Sequence, residues 1–292
     1  MYSGIINIFK ERGYTSNDVV QIVKKVAKSK AGHTGTLDPQ ATGVLPICLG
    51  KATKIAEYIT NGDKQYVAKV VLGTATDTQD AQGAVIATAT RAVVMTDVLA
   101  ALPQFIGDIV QIPPMYSAVK VGGKKLYEYA RQGKEIERKQ RHVNISNIEI
   151  LQAALPNSFV IRVDCSKGTY IRTLCADIGA ALGTCAHMGS LIRTSSGSFI
   201  AKNTISLEKL RQADLSKVVL PIESVLSHMP KIYISATGEK SLKNGNKVAI
   251  DFVENPDNLD HLQPNLLFDH SKELVGIHKI DEGVLRPLTM LL

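Results

Sequence analysis

The chain has 292 residues, 45% hydrophobic and 21% charged, an ordinary globular composition with length for one large domain, or a large domain and a small one. Aromatics make up only 5%, with no Trp, which argues against a broad stacking platform for single-stranded nucleic acid. The formal net charge of +7 points to a polyanionic partner and is unevenly spread: residues 1–229 carry +9 and residues 230–292 carry −2. Four cysteines (Cys48, Cys165, Cys175, Cys185) without CxxC pairing read as buried free thiols of a reducing compartment. No charged leader precedes a long apolar run and no segment reaches membrane-span length, so a cytoplasmic protein without membrane contact is expected.

In chain order, Gly4–Phe9 is a short apolar run that predicts a strand. Thr15-Ser16-Asn17-Asp18 then carries a capping signature ahead of Val19, Ile22, Val23 and Val26 at helical spacing. The helix delivers the chain into Lys30–Pro46, which holds three glycines and two prolines and cannot be a helix interior or a central strand. Within it Pro39 pushes Asp38 toward extended geometry, so one carboxylate sits on backbone that can approach a ligand closely. Taken alone, an Asp-Pro step is ordinary turn punctuation.

Leu45–Leu49 is apolar, and Gly50–Tyr58 reads as a helix. Tyr66–Leu72 alternates as a half-buried strand, with Tyr66, Ala68, Val70 and Leu72 on one side. Thr74–Gly83 is a polar loop whose two aspartates lack EF-hand spacing, so it reads as a turn. Thr96–Phe105 reads as helix, and Ile112–Ala118 is a rigid, proline-bearing segment. Lys120–Arg141 gathers eight basic and three acidic residues around Gly122-Gly123, either a solvated face or a flexible basic loop that follows a phosphate backbone, and Lys125–Gly133 within it reads as helical.

From His142 the pattern turns to strands, Ser158–Cys165 alternating clearly. An extended backbone through Tyr170–Arg172 would put those two side chains on one face, with a helix over Leu174–Leu182 and a polar stretch to about His228. Beyond residue 230, short strands around Lys243-Asn244-Gly245, a hairpin signal, suggest a small β-barrel-like module. Helices and strands without regular βαβ alternation make the larger part α+β.

Several chemistries fail on spacing. Gly43 and Gly50-Lys51 lie too far apart for a Walker A loop, and Ala52 replaces its hydroxyl residue. No metal-ligand spacing, dinucleotide fingerprint or G-x-S-x-G elbow is present, so no cofactor or metal is expected. What remains is one loop carboxylate, a histidine five residues before it, and a distant tyrosine and arginine. A carboxylate can act as a nucleophile without metal when an arginine keeps it ionised and oriented.

Gly32-His33-Thr34-Gly35-Thr36-Leu37-Asp38-Pro39-Gln40-Ala41-Thr42-Gly43-Val44-Leu45-Pro46 resembles the signature of bacterial tRNA pseudouridine-55 synthases of the TruB type. Further blocks resemble that family in order: Tyr14–Val20, Lys64-Gln65-Tyr66, Thr76-Asp77-Thr78-Gln79-Asp80, Pro113–Lys120, Ser166–Thr173 and His187–Arg193. One departure is Phe9-Lys10-Glu11, where the family usually has Asp-Lys-Pro. The resemblance implies a pseudouridine synthase catalytic domain over 1–229, with a mixed, largely antiparallel sheet flanked by helices, and a short PUA-like RNA-binding module over 230–292.

It implies isomerisation of uridine 55 in the tRNA T-loop by base flipping, without cofactor, metal or energy source, in a monomer that needs no protein partner. Asp38 matches the catalytic aspartate. Arg172 would pair with it, and Tyr66 would stack on the flipped base and help the C5 proton leave. Tyr170 and Leu191 would line the base pocket, and His33 would meet the T-loop as the base is extruded. Lys120 and the basic stretch to Arg141 would grip phosphates. Without the resemblance, each has a plainer reading: Tyr66, Tyr170 and Leu191 as core, Arg172 as a structural ion pair or phosphate contact, His33 as a cap. Asp38 is equally compatible with addition to C1′, addition to C6, or removal of a ribose proton. The alternative function is a tRNA-binding or tRNA-folding protein without catalysis. The guide-RNA-directed relatives of archaea and eukaryotes would bring terminal extensions and a fuller PUA module, which disfavours that reading.

Overall fold

The computed structural model describes residues 2–292. Strand β1 (Gly4–Lys10) leads into helix α1 (Ser16–Ala27), whose capping box is formed as the sequence predicts: Asp18 N donates to Thr15 Oγ1 at 3.1 Å and Thr15 N to Asp18 Oδ2 at 2.8 Å. Such a cap is worth about 1 kcal/mol and fixes where the chain enters the helix. Strands β2 (Ala31–His33) and β3 (Thr42–Leu49) flank the glycine-rich loop. Then come β4 (Lys64–Leu72), β5 (Gly107–Gln111), β6 (Arg141–Ala154), β7 (Ser158–Cys165), helix α2 (Ile171–Ala181) and β8 (Ala186–Ser196).

These strands build one nine-stranded sheet in the order β1-β3-β8-β4-β7-β6-β5, with β2 on β3 and Phe199–Ile200 on β8. Every pairing is antiparallel except β8 with β3, which is parallel through Ile192↔Thr42 and Arg193↔Gly43. That contact staples the end of the glycine-rich loop to the middle of the sheet. It also requires glycine: Gly43 has φ +112°, and a Cβ there would run into the Arg193 backbone. The alternating face Tyr66, Ala68 and Val70 packs against Ile171, Leu174, Cys175 and Ile178 of α2 in the main core. Helix α1 covers Ile6, Ile8, Leu45 and Ile47.

The last part of the chain forms a curled five-stranded sheet of β9 (Lys231–Tyr233), β10 (Val248–Ala249), β11 (Asn265–Phe268), β12 (Leu274–Asp281) and β13 (Val284–Met290), in the order β9-β11-β12-β13-β10. The architecture is the expected α+β with a largely antiparallel sheet. The small sheet is not loosely tethered: Leu266, Phe268, Ile277 and Leu291 share a buried cluster with Ile5, Val44, Cys48 and Ile55, and Lys54 Nζ donates to Met290 O at 2.9 Å. No helix among the described residues is long and apolar enough to cross a membrane.

Five expectations are corrected. The glycine- and proline-bearing stretch does enter a central strand: Thr42–Pro46 begins β3, between β1 and β8, because Val44 and Leu45 are buried in the clusters on either side of it. Tyr170–Arg172 is not extended strand: the strand ends at Cys165, Gly168 turns the chain at φ +84°, and α2 begins at Ile171, with Tyr170 as its N-cap. Ile171, Leu174, Cys175 and Ile178 share one buried stripe, and burying it starts the helix earlier than Leu174. The polar stretch before His228 contains the eleven residues of β8 and short helices at Leu207–Leu210, Leu215–Val218 and Ile222–Val225. Its polarity misleads because His187, Arg193 and Ser196 are buried polar groups. Gly122-Gly123 is a tight turn between Lys120–Val121 and Lys124–Lys125, both glycines at positive φ, rather than a flexible loop. Lys243-Asn244-Gly245 ends the helical turn Glu239–Lys243 instead of joining strands.

His278 in β12 is fully buried, and neither ring nitrogen has a hydrogen-bond partner among the described residues. Burial pushes its imidazole down to about 4 from the usual 6.5. Between those values the unfolded chain holds the proton and the folded chain does not, so stability is lost as pH falls through that window, by up to about 3 kcal/mol. We predict that His278→Leu removes this step: the difference in unfolding free energy between variant and wild type, measured from pH 7 to pH 4, should grow in the variant's favour toward acid. A flat difference would refute the assignment.

Candidate active site

The loop between β2 and β3 is held at almost every residue. His33 pairs with Ile47 in β3, and its Nδ1 accepts from Gly35 N at 3.3 Å. Thr60 Oγ1 donates to Thr34 O at 2.7 Å. At the start of α1, the buried Ser16 hydroxyl accepts from Leu37 N at 2.8 Å and donates to Leu37 O at 3.1 Å. Ala41 N closes the turn on Asp38 O at 3.0 Å, and Gly13 N donates to Pro39 O at 2.8 Å. Asp-Pro is indeed a turn, and the surroundings leave that turn one conformation.

Two buried cations complete the hold. Lys10, at the end of β1, donates through Nζ to Tyr14 O at 2.6 Å, Glu11 O at 3.1 Å and Pro39 O at 3.1 Å, and burial pushes its ammonium down to about 8. Arg193 of β8, 1% exposed, donates to Val44 O at 2.8 Å, Gly35 O at 3.2 Å and Thr36 O at 3.5 Å. No carboxylate lies within 4 Å of it among the described residues, so backbone carbonyls, with the Tyr66 side chain hydrogen-bonded beside them, stabilise its charge. The carbonyls belong to both limbs of the loop, which Arg193 therefore clamps together.

Above this base Asp38 meets Arg172, whose place on the first turn of α2 follows from the helix starting at Ile171. The guanidinium faces the carboxylate with two nitrogens: Nε to Oδ2 at 3.1 Å and Nη2 to Oδ1 at 3.3 Å. It also donates from Nη2 to Tyr116 O at 2.8 Å and from Nη1 to Thr78 O at 3.3 Å, and lies 3.7 Å from Asp80 Oδ2. One side chain thus joins three loops far apart in sequence. Gln111 fixes the helix start, donating to Tyr170 O at 3.2 Å and accepting from Tyr170 N at 2.9 Å. Asp80 accepts from Thr78 Oγ1 at 2.7 Å and Gln82 N at 2.9 Å, which orders its own loop.

Burial raises the Asp38 carboxyl above its ordinary value. The Arg172 guanidinium opposes this, and the Asp80 carboxylate adds to it. Burial likewise raises the Tyr66 phenol and lowers the His33 imidazole, with Arg193 pushing the imidazole the same way. Tyr66 is 8% exposed, opposite Arg193 across β4 and β8, in the cluster that holds Leu37, Ala41 and Leu191. Asp38 opens on a cleft of about 210 Å³ lined also by Arg12, Gln40, Asp80, Gln82 and Leu191. No cluster of three metal-ligating groups occurs among the described residues.

The structure therefore brings Asp38, Arg172, Tyr66 and Leu191 together, with Tyr170 adjacent through its backbone and His33 at the start of the loop. Of the predicted residues only Asp38 and Leu191 line the cleft itself; His33, Tyr66, Tyr170 and Arg172 do not, and Lys120 is exposed on the hairpin. Sequence reasoning missed Lys10, Asp80, Gln111 and Arg193. The readable signals were a lysine closing an apolar strand, an aspartate in a loop without metal spacing, and an arginine within a block already singled out.

The arrangement suits a reaction in which one carboxylate, aimed by an arginine, acts on a ligand held in a small cleft. A family model described as TruB family pseudouridylate synthase (N terminal domain) matches residues 23–171, and one described as tRNA pseudouridylate synthase B C-terminal domain matches residues 172–227. The border between them falls inside α2. The tRNA pseudouridine synthase B of Geobacillus thermodenitrificans is 44% identical over 301 residues, with 98% of each chain covered. That of Clostridium tetani is 48% identical over 248 residues, covering 84% of this chain and 86% of its own. Among solved structures, a chain of a Cbf5-Nop10-Gar1 complex superposes with a TM-score of 0.74 at 27% identity, over 99% of this chain and 85% of that one. On these matches over the same sheet and loop, the chain belongs to the TruB family of pseudouridylate synthases.

Proposed function

We propose that the protein isomerises uridine to pseudouridine in tRNA, at position 55 of the T-loop, with Asp38 as the catalytic residue. The observation that carries this reading is the two-point contact of Arg172 on Asp38 at the mouth of a cleft sized for one nucleoside. The bond between N1 and C1′ breaks, the base turns, and C5 bonds to C1′. C5 loses its proton and N1 gains one, so substrate and product are isomers and the step requires no co-reactant.

A uridine stacked in the T-loop cannot reach Asp38, so the nucleotide flips into the cleft. Arg172 keeps Asp38 charged and aimed against the burial that favours its neutral form. Tyr66, packed with the cleft residues Ala41 and Leu191, has the role of stacking on the incoming base and assisting loss of the C5 proton, while Leu191 lines the pocket and Tyr170 flanks Arg172. His33 meets the T-loop at the loop's entrance, and Lys120 with its basic neighbours contacts phosphates outside the cleft. The catalytic domain spans 1–229, and the curled sheet of 230–292 serves as a short PUA-like RNA-binding module. The protein acts as a cytoplasmic monomer.

The test is an unmodified tRNA transcript incubated with the protein and mapped for pseudouridine at each position. Conversion of the T-loop uridine, without added cofactor, is expected. Absence of conversion there would overturn the reading.

A further inference from the structure

RNA brings phosphates to a cleft whose lining carries two carboxylates, Asp38 and Asp80, and one cationic side chain, Arg12. Arg172 approaches the carboxylates from behind, and Lys10 is buried under the loop. Arg12 is exposed at the rim. It is nonetheless placed, because the next residue, Gly13, donates its N–H to Pro39 O at 2.8 Å and so locks this turn to the residue after Asp38.

The side chain is oriented as well. Arg12 Nε donates to Gln40 Oε1 at 2.6 Å, and Gln40 lies two residues beyond Asp38. Gln40 is a neutral acceptor, so it fixes the fork without cancelling its charge. With no carboxylate within 4 Å among the described residues, both terminal amino groups remain for a ligand. A planar fork offering two parallel N–H groups matches a phosphate, where an ammonium would act only as a point charge. The cleft volume of about 210 Å³ is below the ~300 Å³ at which pockets for drug-sized ligands begin, so it admits little beyond a nucleoside and leaves that nucleotide's phosphates at the rim.

We propose that Arg12, oriented by Gln40, grips a backbone phosphate adjoining the nucleotide that enters the cleft. The inference rests on the reaction proposed above, since it needs a nucleotide in the cleft. Within that reaction Arg12 offsets the repulsion between two cleft carboxylates and the incoming backbone, and it sets how deeply the nucleotide is drawn in.

The test pairs Arg12→Ala with T-arm RNAs in which a single linkage beside the target uridine is a neutral methylphosphonate. Arg12→Ala should raise Kd and KM about tenfold, the scale of one charge-assisted hydrogen-bonded contact, with a far smaller change in kcat. The slope of log affinity against log salt should fall by about 0.7. In the wild type, one methylphosphonate position should cost a similar factor, and in Arg12→Ala that same position should cost nothing further. Arg12→Lys, which keeps the charge but not the fork, should fall between the two.

Losses that multiply at every linkage, or an Arg12→Ala protein that binds like wild type, would overturn the proposal. Wild-type conversion of the unmodified RNA is scored alongside. Its absence would remove the reaction reading, while the binding cycle would still decide whether Arg12 holds a phosphate.

Discussion

Asp38→Asn is expected to lower pseudouridine formation by at least about 10³-fold under single-turnover conditions, while tRNA affinity stays at or slightly above the wild-type value. Asparagine keeps the shape of the side chain and can still accept one hydrogen bond from Arg172, so the loop that carries it should hold. That loop is fixed by Lys10, Ser16, Thr60 and Arg193 through its backbone, independently of the carboxylate. The charge alone disappears, and with it any addition to the sugar or the base. Binding does not suffer, because a negative group has been removed from a site for a polyanion.

The same experiment separates the enzyme from a tRNA-folding protein built on the same cleft. The latter would give no isomerised base with wild type either, and the substitution would be silent. An active Asp38→Asn protein would sink the assigned role. The pH profile supplies a second check. Burial raises the Asp38 carboxyl, so the rate should fall as pH drops through a midpoint above the ordinary carboxylate value of 3.8, and a profile flat down to that value would contradict a catalytic role for this partly buried group.

The residues that could be read in advance obey local rules. The Thr15–Asp18 capping box, the alternation along Tyr66–Leu72 and the turn at Asp38-Pro39 are encoded within a few positions, and each appears as expected. What was misread breaks the pattern of apolar inside and polar outside. Strand β8 looked like polar chain because it buries Arg193, His187 and Ser196, yet it lies between β3 and β4 at the centre of the sheet. A buried arginine is tolerable only when carbonyls from distant positions surround it, and those of Gly35 and Val44 lie 158 and 149 residues away.

Asp80 shows the same limit from another side. Its loop carries only turn chemistry, and its approach to Arg172 exists because Thr78 O and the Asp38 carboxylate reach the same guanidinium. Periodicity alone puts the start of α2 three residues late, at Leu174, and so assigns Arg172 to a strand face instead of a helix turn, without altering its pairing with Asp38. The family signature names residues from separate loops that the fold brings together, which periodicity does not, because it encodes contacts between loops rather than local conformation.

Arg172→Met should lower pseudouridine formation about 10²- to 10³-fold and also destabilise the fold. Methionine matches the length of the arginine stem but leaves Asp38 without its paired cation, with only the more distant Lys10, and Tyr116 O and Thr78 O without this donor. Breaking a fully buried pair by removing one partner costs about 3–5 kcal/mol. Asp38 is 36% exposed, so water screens part of that loss and about 2–3 kcal/mol is expected. Freed of its cation, the carboxyl rises further under burial, and the acid limb of the rate profile should move to higher pH.

Arg172→Lys discriminates charge from geometry. A single ammonium can neutralise Asp38 but cannot also reach the Thr78 and Tyr116 carbonyls, so stability should recover more than activity does. The double variant Asp38→Asn/Arg172→Met gives the sharpest result. If Arg172 acts by keeping Asp38 charged and aimed, the double variant should be no slower than Asp38→Asn alone, and part of the lost stability should return because no partly buried carboxylate is stranded at position 38. Rate losses that multiply would mean that Arg172 touches the substrate by itself, and the role assigned to the pair would have to be divided.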